Sequence, residues 1–221
     1  MSTTPSETVR AERRRMSPDD RRKQIIDVTA EVFDRTGFAN TTMDSVAREI
    51  GIAKPTLYHY FSSKDEILQA IHEEFIEQLI HQHEERSSTG LRPEQLLLEA
   101  MADILELIGT HRGHVRVFFE HHRDLPTEAR ARIKARRNDY ETIVRDLIRQ
   151  GMADGVFHEG DVEMATMATF GMCNWAYQWY RDSDHRRPRE IAYRFWSILM
   201  YGLGSEDARR ALDAARPDAV R

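Results

Sequence analysis

The sequence predicts an all-α fold: a small N-terminal block of short helices followed by a larger helical body. Three observations predict it. Apolar residues recur at three- and four-residue spacing along most of the 221 residues, the period of a helix with one buried face. No period-2 strand pattern and no Asn-Gly or Asp-Gly hairpin turn lies between apolar runs. Glycines, prolines and short polar caps fall where helices of ordinary length begin and end.

The elements follow in order. Ile25, Val28, Thr29, Val32 and Phe33 form one stripe, ended by Gly37. Met43, Val46, Ala47 and Ile50 form a second, ended by Gly51, and Leu57, Tyr60 and Phe61 mark a third short helix. Ser63 with Glu66 has the spacing of a capping box and starts a long helix through Ile67, Leu68, Ile71, Phe75 and Leu79. The loop Ser87-Ser88-Thr89-Gly90 places a boundary near residues 85–91. Pro93 opens a helix through Leu96, Leu97, Ala100, Ile104, Leu107 and Ile108, and another surrounds Val115, Phe118 and Phe119. Pro126 opens a long helix through Ile133, Tyr140, Ile143, Val144, Leu147 and Ile148 that should stop near Gly151 and Gly155. Two more run from about Asp161 to Arg181 and from about Pro188 to Gly204. The expected organisation is an arm over 1–20, a head over 21–66, a body over 67–206 joined by the helix over about 64–85, and a tail over 207–221.

Composition bounds the function. A lone Cys173 allows no internal disulfide, which fits a reducing compartment. Met1 to Arg15 lacks the apolar stretch of a signal peptide, and no uncharged apolar run reaches the ~18–20 residues that span a bilayer. A cytoplasmic protein without a membrane partner is expected. Net charge is −5, yet Arg10 to Lys23 holds seven basic residues against three acidic ones. A basic arm on an acidic body suits a protein that meets phosphate at one end. A solvated tail has the same composition.

Residues 41–61 carry the spacing of a helix-turn-helix. Ala47 is small where two helices cross, Gly51 supplies the positive φ of a tight turn, and Leu57 follows six residues later as an anchor. Thr42 is a good N-cap whose helix presents backbone amides to a phosphate. Lys54 and Thr56 stand near the start of the next helix, the end that enters a major groove. Tyr58 and His59 can hydrogen-bond phosphate or base edges, and Lys64 adds charge beside the backbone. Tyr60 and Phe61 belong to the core instead.

These residues carry a resemblance. Phe33, Gly37-Phe38, Thr41-Thr42, Val46-Ala47, Gly51, the run Thr56-Leu57-Tyr58-His59-Tyr60-Phe61 and Lys64 resemble the DNA-binding domain of the TetR family of regulators. The resemblance implies a three-helix head, a larger helical ligand-binding and dimerisation domain, and a homodimer on palindromic double-stranded DNA. It also implies DNA contacts at Thr42, Lys54, Thr56, Tyr58, His59 and Lys64, with repression relieved by a ligand as the usual outcome.

The body points to self-association. Met164, Met167, Ala168, Gly171, Met172, Trp175 and Trp179 form one stripe, while Phe170, Cys173, Tyr177 and Tyr180 fill the other side. The segment from Ile191 to Leu203 repeats the pattern. A helix apolar nearly all round needs cover on several sides, most simply from a second copy.

Residues 171–180 resemble a C-terminal signature of TetR-type regulators of fatty-acid, phenylacetate and steroid degradation, several of which answer to acyl-coenzyme A esters. A small hydrophobic effector, an acyl-CoA, is the resulting expectation, with Phe118, Arg123, Tyr140, Met167, Phe170, Gly171, Asn174 and Trp175 around it. Arg130, Arg132, Lys134, Arg136 and Arg137 would meet its phosphates. Related steroid-responsive members can carry an arginine at the position of Gly171, so a plain acyl chain is favoured. Ordinary core packing and a solvated helix face account for the same residues.

No catalytic residue, cofactor or metal site is expected. His81/His83 and His121/His122 diverge on a helix, and only His111 and His114 share a face. No G-x-S-x-G, P-loop or G-x-G-x-x-G occurs. The competing readings are an enzyme or a ligand-binding protein with a vestigial DNA-binding head.

Overall fold

The computed structural model describes residues 16–181, 183 and 186–201. Most of the basic arm, Leu203, Gly204 and the 207–221 tail lie outside the described residues. Within them the fold is nine helices and no strand: α1 (Pro18–Thr36), α2 (Met43–Ile50), α3 (Lys54–Tyr60), α4 (Lys64–Ser87), α5 (Pro93–Thr110), α6 (Arg112–Glu120), α7 (Thr127–Ala153), α8 (Val162–Trp179) and α9 (Pro188–Tyr201). The all-α expectation is met. No helix among the described residues is long and apolar enough to cross a membrane.

Local chemistry sets the boundaries. Ser17 caps α1 by accepting from the Asp20 amide at 3.0 Å, with Pro18 at the first helical position. Gly51 ends α2 in the left-handed region (φ 76°, ψ 33°), and its N–H reaches the carbonyls of Ala47 and Arg48. Ser63 caps α4 through the Glu66 amide at 3.2 Å. The reciprocal half of the expected capping box differs. The Glu66 carboxylate reaches one residue further back, accepting from the Ser62 N–H at 2.7 Å and the Ser62 hydroxyl at 2.8 Å. α7 ends at Ala153, between Gly151 and Gly155, as expected.

One apolar core runs through the chain. α1 buries Ile25, Ile26, Val32 and Phe33, and α3 is anchored by Leu57 alone. α4 buries Leu68 and Ile71 near the head and Phe75, Ile76 and Leu79 further along. α1 packs on α2, α4 and α6, so head and body touch directly and not only through α4. At that seam α6 comes close to α1 at Gly113, where a Cβ would lie 3.2 Å from the Glu31 amide nitrogen and 2.4 Å from its carboxylate.

Candidate DNA-binding surface and effector cavity

On the head, a seven-residue α3 with only Leu57 buried must turn its remaining side chains outward. Lys54, Thr56, Tyr58 and His59 are all exposed, as is Thr42 at the start of α2. Thr42 caps α2 by accepting from the Ser45 amide at 3.1 Å, and the Ser45 hydroxyl oxygen accepts from the Thr42 N–H at 3.0 Å. Lys54 crosses to Asp44 at 2.7 Å, which raises its pKa and links α3 to α2. Lys54 also lies 5.9 Å from the Tyr58 ring centre. Phe61 is buried, as expected, and Tyr60 partly so.

Lys64, expected beside the DNA backbone, turns its ammonium to the loop between α1 and α2. Its ammonium donates to the carbonyls of Phe38 (2.8 Å), Thr41 (3.1 Å) and Ala39 (3.3 Å) and sits 4.4 Å from the Phe38 ring centre. All three donors are thereby engaged. Lys64 holds the loop between α1 and α2, and reaches a phosphate only by releasing one of those bonds.

In the body, α4, α5, α6, α7 and α8 enclose an open cavity of about 530 Å³. Its apolar walls include Phe75, Ile76 and Leu79 of α4, Ile104 of α5, Phe118 and Phe119 of α6, Ile133 of α7 and Phe170 of α8. Arg130, Lys134 and Arg137 of α7 join the lining with His122, Asn138, Glu141 and Asn174. Arg137 lies 5.2 Å from the Phe118 ring centre, and burial lowers its pKa against the pull of Glu141. Arg130 donates to the carbonyls of Arg123 (2.7 Å) and Leu125 (2.9 Å). Tyr140 is buried with its hydroxyl unpartnered, and burial keeps it a neutral phenol.

The expected effector residues divide. Phe118, Tyr140, Met167, Phe170 and Asn174 line the cavity. Arg123, Gly171 and Trp175 do not. Arg123 is exposed and offers its carbonyl to Arg130. A Cβ on Gly171 would meet nothing within 4 Å, and Trp175 is 64 % exposed, because the α8 stripe that carries them faces away from the core. Of the α7 cations, Arg136 is committed to Glu77 and Asp139, and Arg132 is exposed outside the cavity.

Sequence reading missed an ionic cluster that joins α4, α5 and α9. Arg86, in the last turn of α4, pairs with Asp103 and approaches Glu99 at 3.5 Å, while Arg189 of α9 also pairs with Glu99. Burial raises the Asp103 carboxyl pKa and Arg86 opposes that. The sequence signal was the pair of carboxylates, Glu99 and Asp103, set among the apolar residues of α5.

Residues 90–203 match the family described as Tetracyclin repressor-like, C-terminal domain, and residues 25–71 match Bacterial regulatory proteins, tetR family. The first match alone spans half the chain. This protein belongs to the TetR family.

The TetR assignment makes it a transcriptional regulator and not an enzyme. Its relatives include the HTH-type transcriptional repressor KstR2 of Rhodococcus jostii, 26% identical over 84% of this chain and 92% of that protein. The fatty acid metabolism regulator protein of Bacillus subtilis is 29% identical over 67% of this chain and 77% of its own. Among solved structures, the TetR family regulator PfmR of Thermus thermophilus superposes with a TM-score of 0.76 at 28% identity, covering 82% of this chain and 99% of that one. In this TetR chain, α8 and α9 leave a broad apolar face open. Met164, Met167, Trp175 and Trp179 are exposed on α8, and Tyr193, Ile198 and Tyr201 on α9.

Proposed function

We propose that this TetR regulator is a repressor that binds a palindromic operator as a homodimer and is released by a fatty acyl-CoA. The observation that carries the effector half is a cavity with apolar walls and three cations from one helix. An acyl chain fits against Phe75, Leu79, Ile104, Ile133 and Phe170, while Arg130, Lys134 and Arg137 meet the anionic head. The volume falls within the roughly 300–1,000 Å³ of small-molecule sites, and the cavity is open to one side. A relative named for fatty acid metabolism supports the same class.

The route to DNA runs through α4, which supplies Phe75, Ile76 and Leu79 to the cavity and Ile67, Leu68 and Ile71 to the part nearer the head. A ligand that fits one α4 position better than another shifts the separation of the two heads. Two heads read two half-sites only when about one DNA turn, or a multiple, apart. The second copy would cover the open α8–α9 face, since exposed tryptophans and methionines on adjoining helices are characteristic of interface cores. Thr42, Lys54, Thr56, Tyr58 and His59 would then meet the duplex, with Lys64 holding the loop that precedes α2.

The test is a gel-shift on a duplex selected from random DNA, with palmitoyl-CoA, oleoyl-CoA and free coenzyme A. A specific shift reversed by the acyl esters but not by free coenzyme A is expected. Equal operator affinity with and without the esters would refute the effector, and failure to select any sequence would refute the repressor.

A further inference from the structure

We propose that Asp27, Glu74 and His114 bind a divalent first-row transition-metal ion that ties the head to the body. The three residues come from α1, α4 and α6, and one ligand atom from each lies within 4.8 Å of the other two. Bonds of about 2.0–2.2 Å put the ligand atoms of a tetrahedral shell roughly 3.4 Å apart. His114 Nε2 and Asp27 Oδ1 already stand 3.3 Å apart, and closure asks the Glu74 carboxylate to draw in.

The histidine is the residue that points to a ligand. Its side chain is only 8% exposed, and Nε2 is buried without a hydrogen bond. Nε2 stands 3.3 Å from Oδ1 of Asp27 but is not aligned to donate to it. A buried polar atom without a partner costs free energy that coordination would recover. Burial holds the His114 pKa down to about 4, so at neutral pH the ring is uncharged and keeps a lone pair for a metal.

The cations already nearby are replaceable. Lys23 lies 3.3 Å from Asp27 and Arg22 3.9 Å from Glu74, and their side chains are 60% and 45% exposed. Both can swing into water when an ion takes their place. Gly113 permits the assembly, because its missing Cβ lets α6 lie against α1 at Glu31 and brings the neighbouring His114 to Asp27. One imidazole with two carboxylates suits Zn²⁺ or Mn²⁺ rather than a thiophilic ion, with water completing the shell. An ion held by α1, α4 and α6 favours the head orientation in which those helices meet this way. The site stands independently of the acyl-CoA reading.

Calorimetric titration of the EDTA-stripped, full-length protein with ZnCl₂ and MnCl₂ tests it. One saturable site per chain is expected for at least one ion, with a raised melting temperature. Glu74→Gln and His114→Gln should weaken that site roughly a hundredfold, while His81→Gln, an exposed histidine elsewhere on α4, should leave it intact. Melting curves in EDTA show which variants fold; if His114→Gln does not, the isosteric Glu74→Gln decides alone. No saturable binding of either ion, or a site that survives in every folded variant of the triad, would overturn the proposal.

Discussion

The guanidinium of Arg137 lies 5.2 Å from the centre of the Phe118 ring, where the cationic side of the cavity meets its aromatic wall. That contact places a positive charge beside apolar surface before any ligand arrives. An anionic head group offers it a partner that Glu141 alone does not replace. Arg137→Met keeps much of the stem and removes the charge. Operator release should then require about tenfold more acyl-CoA, the equivalent of one charge-assisted bond of about 1.5 kcal/mol. The melting temperature should change little, because Arg137 is exposed. Fluorescence anisotropy on labelled operator reads the first effect; an unchanged acyl-CoA midpoint would remove Arg137 from the site.

Trp175 separates the cavity from the outer face. It is 64% exposed and absent from the cavity wall. Trp175→Ala should therefore weaken self-association, by roughly thirtyfold for a loss of about 2 kcal/mol at an aromatic anchor. Acyl-CoA affinity measured well above the dimer dissociation constant should stay the same. Sedimentation equilibrium checks the first expectation and calorimetry the second. A variant with normal dimers and weakened ligand binding would put Trp175 back in the pocket.

Lys54, a proposed DNA contact, already holds an ion pair within the protein. Its 2.7 Å pair with Asp44 joins two exposed side chains and contributes little to stability. Lys54→Ala should weaken operator binding and lower the slope of log affinity against log salt by about 1. Asp44→Asn should act in the opposite sense at low salt by freeing the ammonium. Equal salt slopes for wild type and Lys54→Ala would remove this lysine from the phosphate contacts.

The helices were legible because their signals are local. Ser63 and Gly51 act through atoms a few residues away, and Leu57 is the single inward position of a short helix. Tertiary roles were less visible. Lys64 spends its ammonium on carbonyls 23 to 26 residues back, a contact that no spacing rule contains. On α8 the two apolar sides were legible, but not which of them meets this chain's own core. Thr166, Thr169, Cys173 and Ala176 point inward, while the bulkier Met164 and Trp175 point outward and the exposed Met167 also lines the cavity. Hydrophobicity alone assigns the bulkier stripe to the protein's own interior, and an open apolar face reverses that assignment. The triad at the seam was invisible for a related reason. Helix spacing offers His114 only the histidine three residues before it, whereas its carboxylate neighbours come from two other helices.

His72 gives the fold a defined acid response. It is 1% exposed, with Nδ1 2.9 Å from the Leu68 carbonyl and Nε2 unpartnered. Burial, aided by the charges of His122 and Arg137, lowers its pKa from 6.5 to about 4. A folded-state pKa below the unfolded value means that the unfolded chain binds the proton more readily. The stabilisation is therefore complete above about pH 6.5 and is lost as the pH falls toward 4. Between pH 7.5 and pH 5 the loss from this residue is on the order of 2 kcal/mol. His114 has a pKa lowered in the same way, so the wild-type protein carries both contributions. His72→Phe, placed beside Phe118, should remove one of them. Urea midpoints in EDTA should fall less steeply for the variant than for wild type across that window. Parallel slopes would mean that His72 is protonated without cost in the folded chain.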